Sequence, residues 1–304
     1  MRNATAKHFS RAPHVTLYQS KPRSRRSQAE PETVTVGTYN VKNMFDHLDQ
    51  NPREGNKAKP EKELEALARV IERSGADVVA LQEVENREVL QHFVDEYLAG
   101  EFTDVVLVEG NDGRGIDVAL ISKFPVTDAV SHKDNVFPLP DGSGTTQFRR
   151  DALRVDVDIP GYPMSVYTVH LKSRLGGPEA TAQRQAEASE LRRVVNQEMA
   201  PFPKHNFVVT GDFNDSPPTE TLRRVLQGEA GDEPLVDVLE GKPWDERDTW
   251  PSRGPNRQFD FVIMPEHMGD NLVDSRVHQY PESKRASDHL MVTATLRTNS
   301  HSTG

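Results

Sequence analysis

The chain of 304 residues contains no cysteine. Disulfide frameworks, thiolate metal sites and a cysteine nucleophile are therefore excluded. No apolar run approaches the roughly 18 residues that a membrane-spanning helix needs, so the sequence predicts no membrane span. Aromatic residues are few as well, and two tryptophans and six tyrosines leave little for a surface that stacks many nucleobases. The remaining composition, 35% hydrophobic and 28% charged residues, is typical of a globular protein.

The two signs of charge are unevenly distributed along the chain. The first 30 residues contain seven basic side chains and one acidic side chain, whereas residues 31–304 carry 30 basic and 46 acidic side chains. An acidic body repels the backbone of nucleic acids at long range, which argues against a passive coat protein. It does not exclude an enzyme whose acidic pocket is neutralised by a divalent cation.

The sequence predicts one domain between two tails. Residues 1–32 form a basic tail, interpreted either as a disordered segment or as a basic arm for nucleic acid or anionic surfaces. Residues 33–297 form the domain, because no change of composition within them marks a linker. Residues 298–304 form a disordered end. The first 30 residues lack the apolar stretch of a secretory signal, so we expect a cytoplasmic protein, and a monomer is the default oligomeric state.

Strand-like and helix-like patterns alternate within the predicted domain. Leucine, alanine and isoleucine side chains recur at helical spacing in 61–74 and predict a helix that ends at Gly75. Further helices are predicted over 87–98, 179–199 and 219–226. Short apolar or alternating runs predict strands over 33–39, 77–81, 116–121, 153–159, 164–171, 207–210, 259–264 and 291–296. This alternation is typical of a layered α/β domain.

Acids, amides and histidines sit at the ends of several predicted strands. They are Asn40, Glu83, His170, Asp212, Asn214, Asp288 and His289. Strand ends of one sheet meet at one edge, so these side chains can converge although they are far apart in sequence. Oxygen ligands without thiols favour Mg²⁺, Mn²⁺ or Ca²⁺ over a structural zinc. A calcium-binding EF-hand loop beginning at Asp212 is excluded, because its sixth position, which requires glycine, is Pro217.

Seven short motifs carry a family resemblance. They are TYNV at 38–41, LQEV at 81–84, GIDVALIS at 115–122, VHLK at 169–172, GDFN at 211–214, FDFV at 259–262 and SDH at 287–289. In this order and spacing they resemble the endonuclease/exonuclease/phosphatase superfamily over about residues 33–297. The resemblance implies a DNase I-like α/β fold, a four-layer sandwich of two packed mixed β-sheets flanked by helices. It also implies metal-dependent cleavage of phosphoesters at one edge of the sandwich.

The resemblance assigns three residues to a metal site. Asn40 and Glu83 resemble metal ligands, with Glu83 as the principal carboxylate, and Asp288 resembles the acid that completes the site. The cofactor implied is Mg²⁺ or Mn²⁺, bound as one ion or two.

Five further residues resemble the catalytic set. Asp212 and Asn214 match the pair that positions or deprotonates the attacking water and holds the phosphate. His289 matches the imidazole next to the scissile phosphate, and Asp260 matches the acid that orients it. His170 matches the second histidine, on the phosphate or leaving-group side.

Three arginines are candidates for binding the substrate phosphate. Arg114 precedes the strand predicted over 116–121, where relatives place a phosphate contact, and a guanidinium matches phosphate geometry. Arg149 and Arg150 precede another strand and can reach the same phosphate. The alternative for each is a solvated loop arginine.

The expected function is a divalent-metal-dependent phosphodiester hydrolase, with DNA or RNA as the first choice of substrate. The segments 249–252 and 255–260 resemble bacterial nuclease-like members of the superfamily, with Phe259 in place of the usual isoleucine. The acidic body supports the alternative of a small-molecule or lipid phosphodiesterase or phosphatase. A catalytically inactive binding module is the third hypothesis.

Overall fold

The computed structural model describes residues 31–47, 57–251, 254 and 257–298. The predictions made for residues 1–30 and 299–304 lie outside the described residues. Within the described part, no helix is long and apolar enough to cross a membrane.

The first six-stranded sheet carries both ends of the domain. Its strands, in spatial order, are β13 (Leu272–His278), β14 (Met291–Arg297), β1 (Thr33–Met44), β2 (Val78–Val84), β4 (Asp117–Ser122) and β3 (Asp104–Leu107). The central pair β1 and β2 is parallel, and the other pairs are antiparallel. The sheet is therefore mixed.

The second six-stranded sheet repeats this arrangement. Its strands, in spatial order, are β11 (Leu235–Asp237), β12 (Asp260–Pro265), β10 (Asn206–Asp212), β9 (Met164–His170), β8 (Ala152–Val157) and β5 (Val126–Ser131). Here β9 and β10 are the parallel central pair. A two-stranded hairpin of β6 (Phe137–Pro138) and β7 (Thr145–Thr146) stands beside it.

Helices cover the outer face of each sheet. Helices α1 (Glu61–Ser74) and α2 (Arg87–Tyr97) pack on the first sheet, and α3 (Gly177–Met199) and α4 (Glu220–Gln227) pack on the second. The shorter helices are α5 (Trp244–Arg247), α6 (Ser283–Ala286) and a 3-10 helix over Glu266–Asn271. The predicted four-layer sandwich is confirmed.

The core between the two sheets leads directly to the polar edge. Side chains alternate along a strand, so Val34 and Val36 of β1 share a face with Asn40, and Val208 of β10 shares a face with Asp212. The valines are buried in the core between the sheets. The polar residues that end these strands therefore face the opposite sheet at one edge of the sandwich.

Candidate active site

An irregularity in β1 and β2 brings the first predicted metal ligands together. Glu83 has a φ of 67°, and Lys42 and Asn43 have φ values of 53° and 52°. The amide nitrogen of Asn40 donates to Glu83 Oε1 at 3.4 Å and to Asp212 Oδ2 at 3.0 Å. The Asn43 N–H donates to Glu83 Oε2 at 3.0 Å. One amide thus connects carboxylates from both sheets.

Two imidazoles flank the Asp212 carboxylate. His170 Nε2 and His289 Nε2 lie 3.5 Å and 3.8 Å from Asp212 Oδ2. The other ring nitrogen of His289, Nδ1, lies 2.8 Å from Asp260 Oδ2. All four side chains are buried, so these contacts act in a low-dielectric environment.

The two histidines differ in charge. Burial disfavours the imidazolium of His289, but the carboxylates of Asp260 and Asp212 outweigh burial and raise the pKa of His289 above its usual range. Burial and the Arg150 cation lower the pKa of His170 well below its usual range. Burial raises the pKa of Asp212. The site thus holds a charged imidazole, a neutral imidazole and an aspartate with increased proton affinity.

The turn after β10 fixes Asp212 and Asn214. Gly211 has a φ of 140°, and a Cβ at this position would lie 2.0 Å from the Val169 carbonyl oxygen. Only glycine allows β10 to approach β9 so closely. The Asn214 N–H donates to Asp212 Oδ1 at 2.8 Å, and its side-chain nitrogen donates to the Leu171 carbonyl at 3.0 Å. Both side chains are therefore anchored.

The segment before β14 places Asp288 and His289. Ser287 Oγ donates to the Asn40 carbonyl at 2.7 Å and so connects this segment to β1. Trp250 Nε1 donates to Asp288 Oδ2 at 3.4 Å, and the indole stacks on the His289 ring at 5.7 Å between centroids. The loop that carries Trp250 therefore forms one wall of the site.

Two of the predicted substrate-binding arginines lie at this edge. The buried Arg150 donates to the Leu171 carbonyl at 3.3 Å and pairs with Asp112 at 3.2 Å. Arg114 is exposed and lies 3.5 Å from the same aspartate. The charges of both arginines lower the pKa of His170, which places them on its side of the site.

Arg149 is not brought into the centre with the other candidates. It is exposed and lines a separate cavity of about 330 Å³ with Asn111 and Val136. Its charge acts on Lys172, which follows His170 by two residues. Arg149 therefore belongs to the outer rim.

Lys59 is a residue near the site that the sequence pattern did not indicate. Its side chain is 1% exposed, and its ammonium donates to the Lys42 carbonyl at 3.0 Å and pairs with Glu63 at 3.3 Å. Burial lowers its pKa, although Glu63 opposes this effect. A lysine next to the polar segment 48–58 is indistinguishable from a solvated one in sequence, and only the fold shows its contact with the β1 irregularity.

Some of the acids and histidines at this edge are suited to bind a cation, and others are not. Ligand atoms of Asp212, Asp260 and His289 lie within 4.8 Å of one another. His289, however, is hydrogen-bonded to Asp260 and carries a raised pKa, so it is a poor cation ligand. The carboxylates of Glu83 and Asp288 provide hard donors suited to Mg²⁺ or Mn²⁺. Asn40 presents its amide nitrogen to the acids, and its amide oxygen accepts the Lys42 N–H at 3.0 Å.

The sandwich and its polar edge define the class of DNase I-like phosphoester hydrolases. Residues 35–280 match the sequence profile of the Endonuclease/Exonuclease/phosphatase family, and the chain belongs to this family. Members of the family hydrolyse phosphoester bonds and typically depend on a divalent metal ion.

Solved structures support the fold at low sequence identity. Truncated TDP2 from Caenorhabditis elegans is 20% identical with a TM-score of 0.60, and the match covers 87% of this chain and 98% of that one. The human Nocturnin catalytic domain with bound sulfate is 17% identical with a TM-score of 0.61, and the match covers 87% of this chain and 94% of that one. D. rerio TDP2 complexed with a single strand DNA product is 19% identical with a TM-score of 0.58, and the match covers 87% of this chain and 99% of that one. No curated protein sequence matches the chain.

Proposed function

We propose that the chain is a Mg²⁺- or Mn²⁺-dependent phosphodiester hydrolase whose substrate is DNA or RNA. The observation that carries this proposal is the pairing at Asp212. One buried carboxylate contacts a charged imidazole, a neutral imidazole and the Asn40 amide, within reach of Glu83. Hydrolysis of a phosphodiester by water requires a base, a cationic donor and a phosphate-binding edge, and this arrangement provides them.

Glu83 and Asp288 would hold the cation, with Asn40 as a third candidate. A bound divalent cation supplies positive charge that stabilises the negative charge developing on the phosphate oxygens and the leaving oxygen. The Asn43 N–H and the Trp250 indole hold these two carboxylates in place.

The remaining steps belong to side chains of the chain itself. Asp212, whose pKa burial raises, accepts the proton of the attacking water. His289, protonated because of Asp260, donates a hydrogen bond to a phosphate oxygen. This hydrogen bond becomes stronger as negative charge develops on that oxygen. His170 stays neutral, and one of its ring nitrogens donates a hydrogen bond from the other side of Asp212. Asn214, anchored to Leu171, helps to orient the water.

Nucleic acid is the preferred substrate because cations gather at the rim of an otherwise acidic body. Lys172 lies within the electrostatic range of Arg149 and Arg150, and Arg174 lies over the Phe259 ring at 5.9 Å. A polyanion with phosphates on both sides of the cleaved bond can contact several such cations at once. The TDP2 neighbour from D. rerio, which has a similar fold, was solved with a single strand DNA product.

A small-molecule or lipid phosphodiester is the second candidate. The excess of acidic over basic side chains in residues 31–304, 46 against 30, favours a substrate that carries few charges.

The test is cleavage of plasmid, oligonucleotides, phospholipids and small phosphodiesters, with Mg²⁺ or Mn²⁺ and with EDTA. We expect cleavage of nucleic acid that EDTA abolishes, and a Glu83→Gln rate lower by roughly 100-fold or more, because a cation-binding carboxylate is lost. Glu88→Gln, an exposed glutamate on α2, is the matched control and should cleave at the wild-type rate. Cleavage in EDTA, or full activity of Glu83→Gln, would contradict the metal-dependent mechanism. Turnover of small esters or lipids alone would favour the second candidate.

A further inference from the structure

A buried glutamate of helix α3 holds two loops that border the site. Glu187 is 1% exposed, and its carboxylate accepts two backbone hydrogen bonds. Oε1 accepts the N–H of Arg149 at 3.0 Å, and Oε2 accepts the N–H of Lys172 at 2.6 Å. The side chain of Gln183, one turn earlier, donates to Oε1 at 2.9 Å. One side chain therefore links the backbone before β8 to the backbone after β9.

The neighbouring turn of α3 strengthens the same contact. Arg184 donates to the Lys172 carbonyl at 3.3 Å and to Asp215 Oδ2 at 3.2 Å. The residue Lys172 is thus held at its N–H by Glu187 and at its carbonyl by Arg184. Asp215 also accepts a hydrogen bond from Thr221 at 2.7 Å, so a third loop, which follows β10, joins the contact.

The loops that α3 holds carry side chains of the candidate active site. Lys172 follows His170 and Leu171, Arg149 precedes Arg150, and Asp215 follows Asn214. The Leu171 carbonyl accepts hydrogen bonds from both Arg150 and Asn214. A displacement of the Lys172 backbone would therefore move His170 and also the Leu171 carbonyl, which is the acceptor shared by Arg150 and Asn214.

A buried carboxylate carries a desolvation penalty that an apolar side chain at the same helix position would not have. Burial raises the pKa of Glu187, which shows that the helix position disfavours the charge. An apolar side chain would pack α3 on its sheet without that cost. An apolar side chain cannot, however, accept the two loop N–H groups that Glu187 accepts.

We propose that Glu187 is a positioning residue, whose carboxylate fixes the loops at Arg149 and Lys172 in the geometry that catalysis needs. This inference rests on the proposed hydrolase function, and Glu187 itself touches no reacting atom. Its effect should fall on turnover rather than on cation binding, because Glu83 and Asp288 come from the other sheet.

The test compares Glu187→Gln with Glu190→Gln in the full-length protein. Glu190 is also a buried glutamate of α3, but its carboxylate accepts hydrogen bonds from the side chains of Asn135 and Arg193 instead of from the backbone of Arg149 or Lys172. For Glu187→Gln we expect faster hydrogen–deuterium exchange of the amides of Arg149 and Lys172. We also expect a kcat lower by about tenfold or more, since small displacements of catalytic groups are costly. The Mn²⁺ concentration for half-maximal rate should stay within about twofold, as for a change in positioning rather than binding. Glu190→Gln should show none of these changes.

Unchanged amide exchange in Glu187→Gln, or a kcat equal to the wild-type value, would overturn the proposal. Equal losses of kcat and cation affinity in both variants would also overturn it, because they would indicate general damage to the fold. If Glu187→Gln does not fold, Arg184→Lys, which keeps the charge but reaches fewer acceptors, should show the same changes in smaller measure; no change there overturns the proposal as well. A wild-type protein that cleaves no phosphodiester would refute the proposed function, whereas the exchange measurement would still decide whether Glu187 holds the loops.

Discussion

Two histidines contact one aspartate and yet differ in charge, because their other neighbours differ. His289 has Asp260 at its second nitrogen, whereas His170 has the Arg150 and Arg114 cations nearby. A carboxylate partner stabilises the imidazolium, and a cationic neighbour destabilises it. The two pKa values therefore move in opposite directions: Asp260 and Asp212 outweigh burial at His289, whereas burial and the Arg150 cation act together at His170.

Asp260→Asn tests this division. Asparagine can still accept from His289 Nδ1 but carries no charge, so the pKa of His289 should fall. The imidazolium would then lose its proton at a lower pH, and the alkaline limb of the pH–rate profile should move to lower pH. We expect the rate at neutral pH to fall by roughly 100- to 10,000-fold. Asp237→Asn, which removes a buried carboxylate paired with Arg247, should keep the wild-type profile. An unshifted profile in Asp260→Asn would contradict the assignment.

Close approach of two strands explains why a glycine precedes Asp212. A side chain at Gly211 would collide with the backbone of β9 at Val169, and the φ of 140° is unfavourable for other residues. We expect Gly211→Ala to lower the free energy of unfolding by roughly 3 kcal/mol or more, through strain and displacement of β10. Gly269→Ala, where a Cβ meets no atom within 4 Å, is the control. Urea denaturation measures both, and equal stabilities would refute the argument.

At the scale of elements, the strands missed by the sequence patterns lie at the sheet edges. They are β3, β5, β11 and β13, which are the outer strands of the two six-stranded sheets, and both strands of the β6–β7 hairpin. An edge strand has a neighbour on one side only and tolerates polar residues, so its apolar pattern is weak. Interior strands such as β2 and β9 carry continuous buried runs and were predicted within a few residues. The apolar patterns of the sequence therefore predict the interior strands of each six-stranded sheet but not its edge strands.

One of these edge strands ends in a buried histidine with a pH-dependent contribution to stability. His278 contacts Thr293 and Tyr280 hydroxyls at 2.7 and 2.8 Å, and burial with the Arg276 charge lowers its pKa from 6.5 to about 4, opposed by Asp274. The unfolded state thus binds a proton at a higher pH than the folded state. The free energy of unfolding should fall by roughly 1–3 kcal/mol as pH drops through this interval.

The His278→Gln variant should lose that part of the pH dependence, measured by urea denaturation at several pH values. His92→Gln, an exposed histidine of α2, should keep it. A wild-type pH dependence in His278→Gln would show that another group is responsible.

At the scale of the whole molecule, an acidic body surrounds a rim with several exposed or half-exposed cations. We expect the KM for an oligonucleotide to rise steeply with salt, because each phosphate contact releases counterions. Arg174→Ala and Arg149→Ala should each reduce the slope of log KM against log salt by about 1. Arg223→Ala, an exposed arginine of α4 paired with Glu220, should leave the slope unchanged. A salt-independent KM would favour the small-molecule alternative.

The sequence revealed much of the fold and the residue types of the site, but not its supports. Motifs at strand ends predicted that Asp212 and His289 lie close together, and the structure places His289 Nε2 3.8 Å from Asp212 Oδ2, because strand alternation and sheet order carry such residues to one edge. The sequence patterns indicated neither Lys59 nor Glu187, since both contact backbone groups distant in sequence, and such contacts leave no local pattern. Arg149 and Arg150 are adjacent and chemically identical, and only the fold separates the exposed one from the buried one.

Each sheet contributes only part of the polar edge. Asn40 lies on β1 and His289 lies just before β14 of the first sheet, whereas Asp212 and Asp260 lie on strands of the second sheet. Side-chain hydrogen bonds join the two pairs. The candidate active site therefore does not form until the sheets have docked through their shared apolar core. During refolding from denaturant, recovery of activity should trail the return of helical circular dichroism. Recovery of enzyme turnover would then measure the docking of the two sheets, a late step of folding between distant parts of the chain that circular dichroism of the helices does not detect.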